Sequence, residues 1–395
     1  MRLFFSVEEY RRAAERFVLK FTDDEQAAML LVEEFWRASG YGRHFYALAE
    51  ACKRLGIDVV MHLDEAEGCD CEVVFGAPFE FIRPFSQPAI KCTMVEWFVL
   101  PNEFAQYDWS IWEFVFTPSK WSKEQLRIAG VTCPIFVIPN GIWPEEVPYL
   151  ERDWYSDELN ILAMSVSLAD RKMQIEVLEH LLMHDIPSHW RVTFKTAIVE
   201  STERVEMDVR LNANIRMIRK TMPWDELLQL LAEHHISINL SSGEGFGLLP
   251  LEHAATGMNV LIHSHSGFSQ FVRKDLFWTV EAYPRFITRL ARNAYWADFD
   301  GALGLLKYCD NRREILAAIS KPLSDYVHSN FTWLHSAERL IDLIERYVLA
   351  RKGKGIYKPQ SRTLEELMPT QGIKNILRRV DTLKSRRDNE RKFAC

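Results

Sequence analysis

Short apolar segments alternate with amphipathic helical segments in two successive series along this chain. A strand-and-helix alternation buries its apolar residues when the strands form a parallel sheet that helices cover on both faces. Residues 143–157, rich in Pro, Glu, Asp and Tyr, separate the two series as a linker. The sequence therefore predicts an α/β protein in which two Rossmann-like, doubly wound parallel-sheet domains, residues 25–145 and 146–330, face a cleft.

The first series opens with a Gly-rich turn between a strand and a helix. We expect a buried strand at residues 28–32, the turn S-G-Y-G-R at 39–43, a helix at 45–55 and a strand at 57–60. Gly40 and Gly42 would allow the backbone to approach a ligand at the start of that helix. Further upstream, Ser6 and Glu9 have the spacing of a capping box, which predicts a helical extension within residues 1–24.

The composition excludes several classes of protein. With 395 residues, 48% hydrophobic and 26% charged, the chain is typical of globular proteins and large enough for two or three domains. It has no apolar run of about 18 residues, and its first residues lack the pattern of a signal peptide. An odd number of cysteines, seven, indicates free thiols in a reducing compartment. We expect a cytoplasmic protein, with peripheral binding at the inner membrane face left open.

The net charge of −7 conceals a basic C-terminal segment. Residues 351–395 contain 13 Lys and Arg against 5 Asp and Glu, a net charge of +8, so residues 1–350 carry −15. Within this basic tail, residues 372–393 place apolar side chains at helical spacing among basic ones. Such a helix suits an anionic membrane surface or the phosphates of DNA, and a solvated terminal helix is the alternative.

The most informative segment follows the predicted strand at 236–240. It reads S-S-G-E-G-F-G-L-L-P-L-E over residues 241–252, with a helix that begins near Leu248. The glycines allow a tight turn, and the free amides of a helix N-terminus favour a diphosphate. Glu244 and Glu252 flank this position, where carboxylates suit the hydroxyls of a sugar and of a ribose.

At these residues the sequence resembles the retaining glycosyltransferases of family 4, which have the GT-B fold. Glu244 and Glu252 match the family's E-x7-E pattern. Four further segments match in order: T-M-V-E at 93–96, P-S-K-W-S at 118–122, I-P-N-G-I at 138–142 and F-T-W at 331–333. The last resembles the start of the family's closing helix, here residues 331–350, which crosses back to the N-terminal domain.

The resemblance implies roles for the donor-site residues. Glu244 would bind hydroxyls of the transferred sugar near the reacting carbon, and Glu252 would hold the ribose. The turn around Gly245, with amides of Phe246, Gly247 and Leu248, would meet the phosphates. Lys172 would clamp the diphosphate. The family's further arginine is replaced here by S-V-S at 165–167, and either Arg171 or Lys195 would take its role.

The acceptor would lie on the N-terminal domain. Gly40, Tyr41 and Gly42 would border the donor phosphates or the acceptor, Glu96 is a candidate acceptor-side carboxylate, and Trp97 offers an aromatic face. Many relatives carry a histidine near Glu96, whereas this chain has none between His62 and His180. His44 is the candidate that would partly replace it.

The resemblance thus implies a retaining hexosyltransferase that needs no metal and no cofactor, with a UDP-sugar as the preferred co-substrate. Asp298 and Asp300 form a D-x-D pattern, which we interpret as a helix N-cap. A saccharide or lipid-linked saccharide is the first choice of acceptor, and a hydroxymethylated base of DNA, suggested by the basic tail, is the second. An inactive GT-B scaffold that serves as a binding module is a third hypothesis.

Overall fold

The computed structural model describes residues 1–6, 40–76, 84–165, 171–196, 213–220, 222–287 and 292–351. The predicted strand at 28–32 and the basic tail beyond Arg351 lie outside these residues. Within them, the strands form two six-stranded parallel sheets and one two-stranded antiparallel sheet. The predicted pair of doubly wound parallel-sheet domains is therefore confirmed.

The N-terminal sheet has the strand order β2-β1-β3-β4-β5-β6. Its strands are β1 (Arg2–Phe5), β2 (Asp58–Val60), β3 (Cys71–Phe75), β4 (Ala89–Cys92), β5 (Val115–Thr117) and β6 (Ile135–Val137). In the described part of this domain, the α-helices are α1 (Gly40–Arg54) and α2 (Lys120–Ile128). The central strands are buried on both faces, which explains why they read as short continuous apolar runs.

Two predictions for this domain are wrong. Residues 2–5 of the predicted helical extension form β1 instead, which pairs with β2 on one side and β3 on the other. Residues 7–24 of that extension, with most of the helix predicted from the capping box, lie outside the described part of the chain. Leu3, Phe4 and Phe5 are all fully buried, so this apolar run supplies the centre of the sheet. The Gly-rich turn also differs, since α1 already begins at Gly40 and includes Gly42 in its first turn.

The C-terminal sheet has the order β12-β11-β10-β7-β8-β9. Its strands are β7 (Leu159–Met164), β8 (Trp190–Thr196), β9 (Ile215–Arg219), β10 (Ile236–Asn239), β11 (Asn259–His263) and β12 (Trp278–Val280). Between them, the described residues form the α-helices α3 (Gln174–Met183), α4 (Trp224–Glu233) and α5 (Leu248–Ala255). Since β7 and β10 are neighbours, the loops that leave their carboxyl ends meet at one edge of the sheet.

A hairpin follows that the sequence did not predict. Strands β13 (Ala282–Ile287) and β14 (Arg292–Ala297) pair antiparallel, in a region where helices were expected from residue 287. Helices α6 (Phe299–Asp310), α7 (Arg313–Asn330) and α8 (Trp333–Tyr347) come next. The Asp298 carboxylate accepts a hydrogen bond of 2.9 Å from the Gly301 amide, so the predicted N-cap is confirmed.

Helix α8 packs against α1 and so returns the chain to the N-terminal domain. Trp333, Leu340 and Ile344 lie in the same apolar cluster as Phe5 and Phe45. At the start of α8, the Ile142 amide donates to the Phe331 carbonyl at 2.9 Å, and the Trp333 amide donates to the Ile142 carbonyl at 3.2 Å. Among the described residues, no helix is long and apolar enough to cross a membrane.

Candidate functional site

The loop between β10 and α5 lies directly against the N-terminal domain. A Cβ on Gly243 would come within 1.9 Å of the Glu96 carbonyl oxygen, and one on Gly245 within 2.6 Å of the Met94 sulfur. Gly247 has a φ of 105° just before α5, a conformation that glycine adopts at little cost. The glycines are therefore needed for close approach between the two domains as well as for the turn.

Glu244 is the buried anion of this loop. Its side chain is only 4% exposed, and its Oε1 atom accepts hydrogen bonds from Lys172 Nζ and, at 3.2 Å, from Arg171 Nη1. Burial by itself would raise the pKa of Glu244, but the charges of Arg171 and Lys172 outweigh it and lower that pKa. Glu244 is therefore an ionised carboxylate held by two cations.

Arg171 joins the two domains across the cleft. Its guanidinium donates to both carboxylate oxygens of Glu96, with Nε at 2.9 Å from Oε2, while a third nitrogen reaches Glu244. The Arg171 carbonyl accepts a hydrogen bond of 2.7 Å from the Ser242 amide and bonds from two serine hydroxyls. These hydrogen bonds to the Arg171 backbone connect the loop after β7 to the loop after β10.

Lys172 and Lys195 occupy the same edge of the sheet. Lys172 leads into α3 through Met173, a fully buried residue with a φ of 58°. Lys195 is 8% exposed near the end of β8, where burial lowers its pKa, and it forms no ion pair with any other residue in the described part of the chain. Of these two lysines, Lys172 pairs with Glu244, whereas Lys195 is placed only near the end of β8, the strand beside β7.

Glu252 lies in α5 and is paired with a residue that the sequence analysis did not assign. Arg43, from the first turn of α1, donates through both terminal nitrogens to the Glu252 carboxylate, with Nη1 at 3.3 Å from Oε2. The Glu252 charge is the main cause of the raised pKa of Arg43. The side chain of Arg43 is 42% exposed and that of Glu252 is 6% exposed. The only signal for Arg43 was a basic residue in the S-G-Y-G-R segment.

The candidate acceptor-side residues fall in different environments. The Glu96 carboxylate lies at the cleft, where it accepts hydrogen bonds from Arg171 of the other domain. Trp97 is half-buried against the N-terminal core. The Val95 amide donates to Ser122 Oγ at 2.8 Å, so the P-S-K-W-S segment positions the T-M-V-E segment. Gly42 is buried in the first turn of α1, and the side chain of Tyr41 lies outside the described part of the structure.

The proposed substitution by His44 for the acceptor-side histidine is wrong. His44 is fully buried, with its ring packed against Phe75 and Trp333 and its Nδ1 atom 4.0 Å from Cys92 Sγ. Burial lowers the pKa of His44 to about 3. The ring points into the core of the N-terminal domain because α8 covers it.

The unpredicted hairpin adds aromatic groups to the cleft. The Tyr295 amide of β14 donates to the Ser242 carbonyl at 2.7 Å. The Tyr295 ring stacks on the His265 ring, with 4.9 Å between the ring centroids. The Phe98 ring of the N-terminal domain also packs on it, with a centroid separation of 5.0 Å. His263 is fully buried beneath them, with its Nε2 atom 2.6 Å from the Ser241 carbonyl oxygen. These rings border the loop that holds Glu244.

The comparisons with known proteins agree with this geometry. Residues 181–340 match the family described as "Family 4 Glycosyltransferase in conflict systems". No curated protein matches the sequence. Sucrose-phosphate synthase from Thermosynechococcus elongatus is similar in structure, with a TM-score of 0.59 and 14% identity over 79% of this chain and 94% of that one.

Two further solved structures show the same fold. WaaG, a glycosyltransferase involved in lipopolysaccharide biosynthesis, has a TM-score of 0.56 and 12% identity over 78% of this chain and 96% of its own. HepE from Anabaena, solved with UDP and glucose, has a TM-score of 0.55 and 11% identity over 88% of this chain and 100% of its own. The chain is therefore family 4-like in sequence over residues 181–340, and its described part has the GT-B fold of such glycosyltransferases.

Proposed function

We propose that this protein is a retaining glycosyltransferase that transfers a sugar from a nucleotide-diphosphate sugar to a hydroxyl acceptor. The observation that carries the proposal is the buried Glu244 carboxylate held by the partly exposed Lys172 and Arg171 beside the N-terminus of α5, with Glu252 farther along the same helix. This set combines carboxylates for hydroxyl groups with cations for phosphates.

The donor would lie between α5 and the loop after β7. Its diphosphate would meet the first amides of α5, which have no partners within the helix, and the positive end of the helix dipole. Lys172 and Arg171 would stabilise the negative charge that develops on the leaving diphosphate. Because both cations are already fixed by Glu244 and Glu96, little reorganisation is required when the charge appears.

The two carboxylates would position the donor. Glu244, held ionised, would accept hydrogen bonds from sugar hydroxyls, and Glu252 would accept them from the ribose. The ribose would have to share or displace Arg43, which now occupies both Glu252 oxygens. Retention would follow from attack of the acceptor hydroxyl on the face that the diphosphate leaves, with a phosphate oxygen taking the proton, so no side chain needs to act as a covalent nucleophile.

A UDP-sugar is the preferred donor and a saccharide or lipid-linked saccharide the preferred acceptor. HepE was solved with UDP and glucose, and WaaG is described as involved in lipopolysaccharide biosynthesis. A hydroxymethylated DNA base is the second candidate, favoured by the net charge of +8 in residues 351–395. With a DNA acceptor, the basic tail would bind DNA. With a lipid-linked acceptor, it would bind an anionic membrane.

The experiment supplies the purified protein with UDP-, GDP- and ADP-sugars and measures nucleotide release and transfer of label. The acceptors are a lipid and saccharide extract and DNA with hydroxymethylated bases, each with the full chain and with a chain truncated after Arg351. We expect transfer from a UDP-sugar that is insensitive to EDTA. Glu252→Gln should abolish most of it, whereas Glu233→Gln, a carboxylate paired with Arg216 on the surface, should not.

Label in the lipid and saccharide extract would support the first acceptor, and tail-dependent label in DNA would replace it with the second. Absence of UDP binding and of nucleotide release from every donor would contradict the proposal and leave the inactive binding module as the better hypothesis.

A further inference from the structure

Three potential metal ligands converge on the surface of the C-terminal domain. His180 lies in the last turns of α3 and His184 is its C-cap residue, so the two are four residues apart on one face. Asp300 comes from the first turn of α6. Its Oδ1 atom is 3.3 Å from His180 Nε2 and 3.8 Å from His184 Nε2, and the two imidazole rings are 4.3 Å apart.

These separations are close to those around a single metal ion. The three ligand atoms all lie within 4.8 Å of one another. Nitrogen and oxygen ligands at about 2.0–2.2 Å from a tetrahedral Zn²⁺ lie roughly 3.3–3.5 Å apart. Small rotations of the exposed His184 and Asp300 side chains would therefore complete the geometry.

Among the described residues, no hydrogen bond occupies the three atoms that would bind a metal ion, which are His180 Nε2, His184 Nε2 and Asp300 Oδ1. His184 Nδ1 is 2.8 Å from the His180 carbonyl oxygen, which can only accept, so the proton of a neutral ring lies on Nδ1. The Nε2 atom then carries a lone pair that faces the Asp300 carboxylate. His180 Nε2 is buried and has no hydrogen-bond partner. The His184 lone pair and the Asp300 carboxylate, which face one another beside His180 Nε2, would be stabilised by a cation between them.

Histidines that bind a metal through one ring nitrogen commonly donate the N–H of the other to a carbonyl or carboxylate oxygen. The hydrogen bond from His184 Nδ1 to the His180 carbonyl is of this kind. Two imidazoles and one carboxylate favour Zn²⁺ and similar ions, whereas Mg²⁺ and Ca²⁺ prefer oxygen ligands. We propose that His180, His184 and Asp300 bind a divalent transition metal ion, for which Zn²⁺ is the probe, and that this ion joins α3 to α6.

The site is separate from the proposed donor site. His180 lies eight residues beyond Lys172, a distance of roughly 12 Å if the intervening residues are helical. The ion would therefore stabilise the helix that follows Lys172 without touching a donor at Glu244. The inference does not depend on the proposed transfer reaction, and its test does not measure that reaction.

The test titrates Zn²⁺ into the chelator-treated, tag-free protein by calorimetry and repeats the titration with Co²⁺, followed by visible absorption. We expect one strong Zn²⁺ site per chain, the absorption bands of tetrahedral Co²⁺ and a higher melting temperature with Zn²⁺. His184→Gln and Asp300→Asn should each weaken binding by roughly tenfold or more, the scale on which even supporting residues change metal affinity.

His189→Gln is the matched control, because His189 pairs with Asp310 at 2.7 Å elsewhere in the same domain. This variant should bind Zn²⁺ as the unaltered protein does. Melting curves without metal show that each variant is folded. Equal Zn²⁺ affinity in the unaltered protein and in a His180→Gln, His184→Gln double variant would overturn the proposal, as would the absence of any micromolar site.

Discussion

Acid should destabilise this protein because four buried histidines must take up protons on unfolding. Burial lowers the pKa of His44 and His253 to about 3 and the pKa of His234 and His263 to about 4. In the unfolded chain each would have a pKa near 6.5. The unfolded state therefore binds more protons than the folded state between these values, and stability falls as the pH falls through this range.

The magnitude follows from these shifts. Between about pH 7.5 and about pH 5.5, each histidine lowers the free energy of unfolding by between about 1 and 2 kcal/mol, so that the four together lower it by about 5 kcal/mol. Glu72 opposes them, because burial raises its pKa to about 7 and its protonation stabilises the folded state as the pH falls. Its contribution is about 2 kcal/mol over the same range. Among these five groups the histidines dominate, and their combined effect with Glu72 is a loss of roughly 3–4 kcal/mol. Burial also lowers the pKa of His235, which acts in the same direction as the four histidines.

His253 provides the specific test. It is 1% exposed and neither of its ring nitrogens has a hydrogen-bond partner, so leucine can replace it without breaking a polar contact. His253→Leu should reduce the loss between the two pH values by between about 1 and 2 kcal/mol. His335→Gln, at an exposed position near the start of α8, is the control and should leave the loss unchanged.

The measurement is urea unfolding at both pH values for the three proteins, followed by fluorescence and circular dichroism. The two probes also show whether the domains unfold together. An identical pH dependence in the unaltered protein and in His253→Leu would refute the reasoning, because it would mean that His253 is protonated equally in both states.

Three further outcomes are expected. Lys172→Met should lower kcat for nucleotide release by roughly 10²–10³, the usual effect of removing one group that stabilises transition-state charge, and circular dichroism should show an unchanged fold. Gly243→Ala should lose activity and melt at a lower temperature, because its Cβ would lie 1.9 Å from the Glu96 carbonyl oxygen; alanine at the open position Gly304 is the control. Trp333→Ala should cost about 3–5 kcal/mol of stability, since this 4%-exposed ring packs in the N-terminal core, and urea unfolding would measure the loss.

The turn between β10 and α5 was predictable because its requirements are local. A strand, three spaced glycines and a helix start at Leu248 specify a turn whose amides point outwards, whatever the rest of the chain does. The strand at 236–240 was predicted for a similar reason, since a short apolar run bounded by turn residues is consistent with a buried strand of a parallel sheet.

The errors fall where a local pattern has two readings. Residues 2–5 are a short apolar run next to a capping-box spacing, and only pairing with β2 and β3 decides that they form a strand. His44 directly follows the Gly-rich segment at 39–43, yet Trp333 of α8, from the far end of the chain, packs on its ring and helps to bury it. The hairpin 282–297 lacks the turn residues that would have identified it.

The sequence by itself determined the two-sheet architecture and the residues that line the loop after β10, because periodicity and turn chemistry act over a few neighbouring residues. Only the tertiary structure decided which charges meet. Arg43 reaches Glu252 across 209 residues, and Arg171 reaches Glu96 across 75. His180 and His184 show their helical spacing in the sequence, but Asp300 joins them only because α6 packs beside α3. Ion pairs and ligand sets of this kind depend on distances in space, which the order of residues along the chain does not contain.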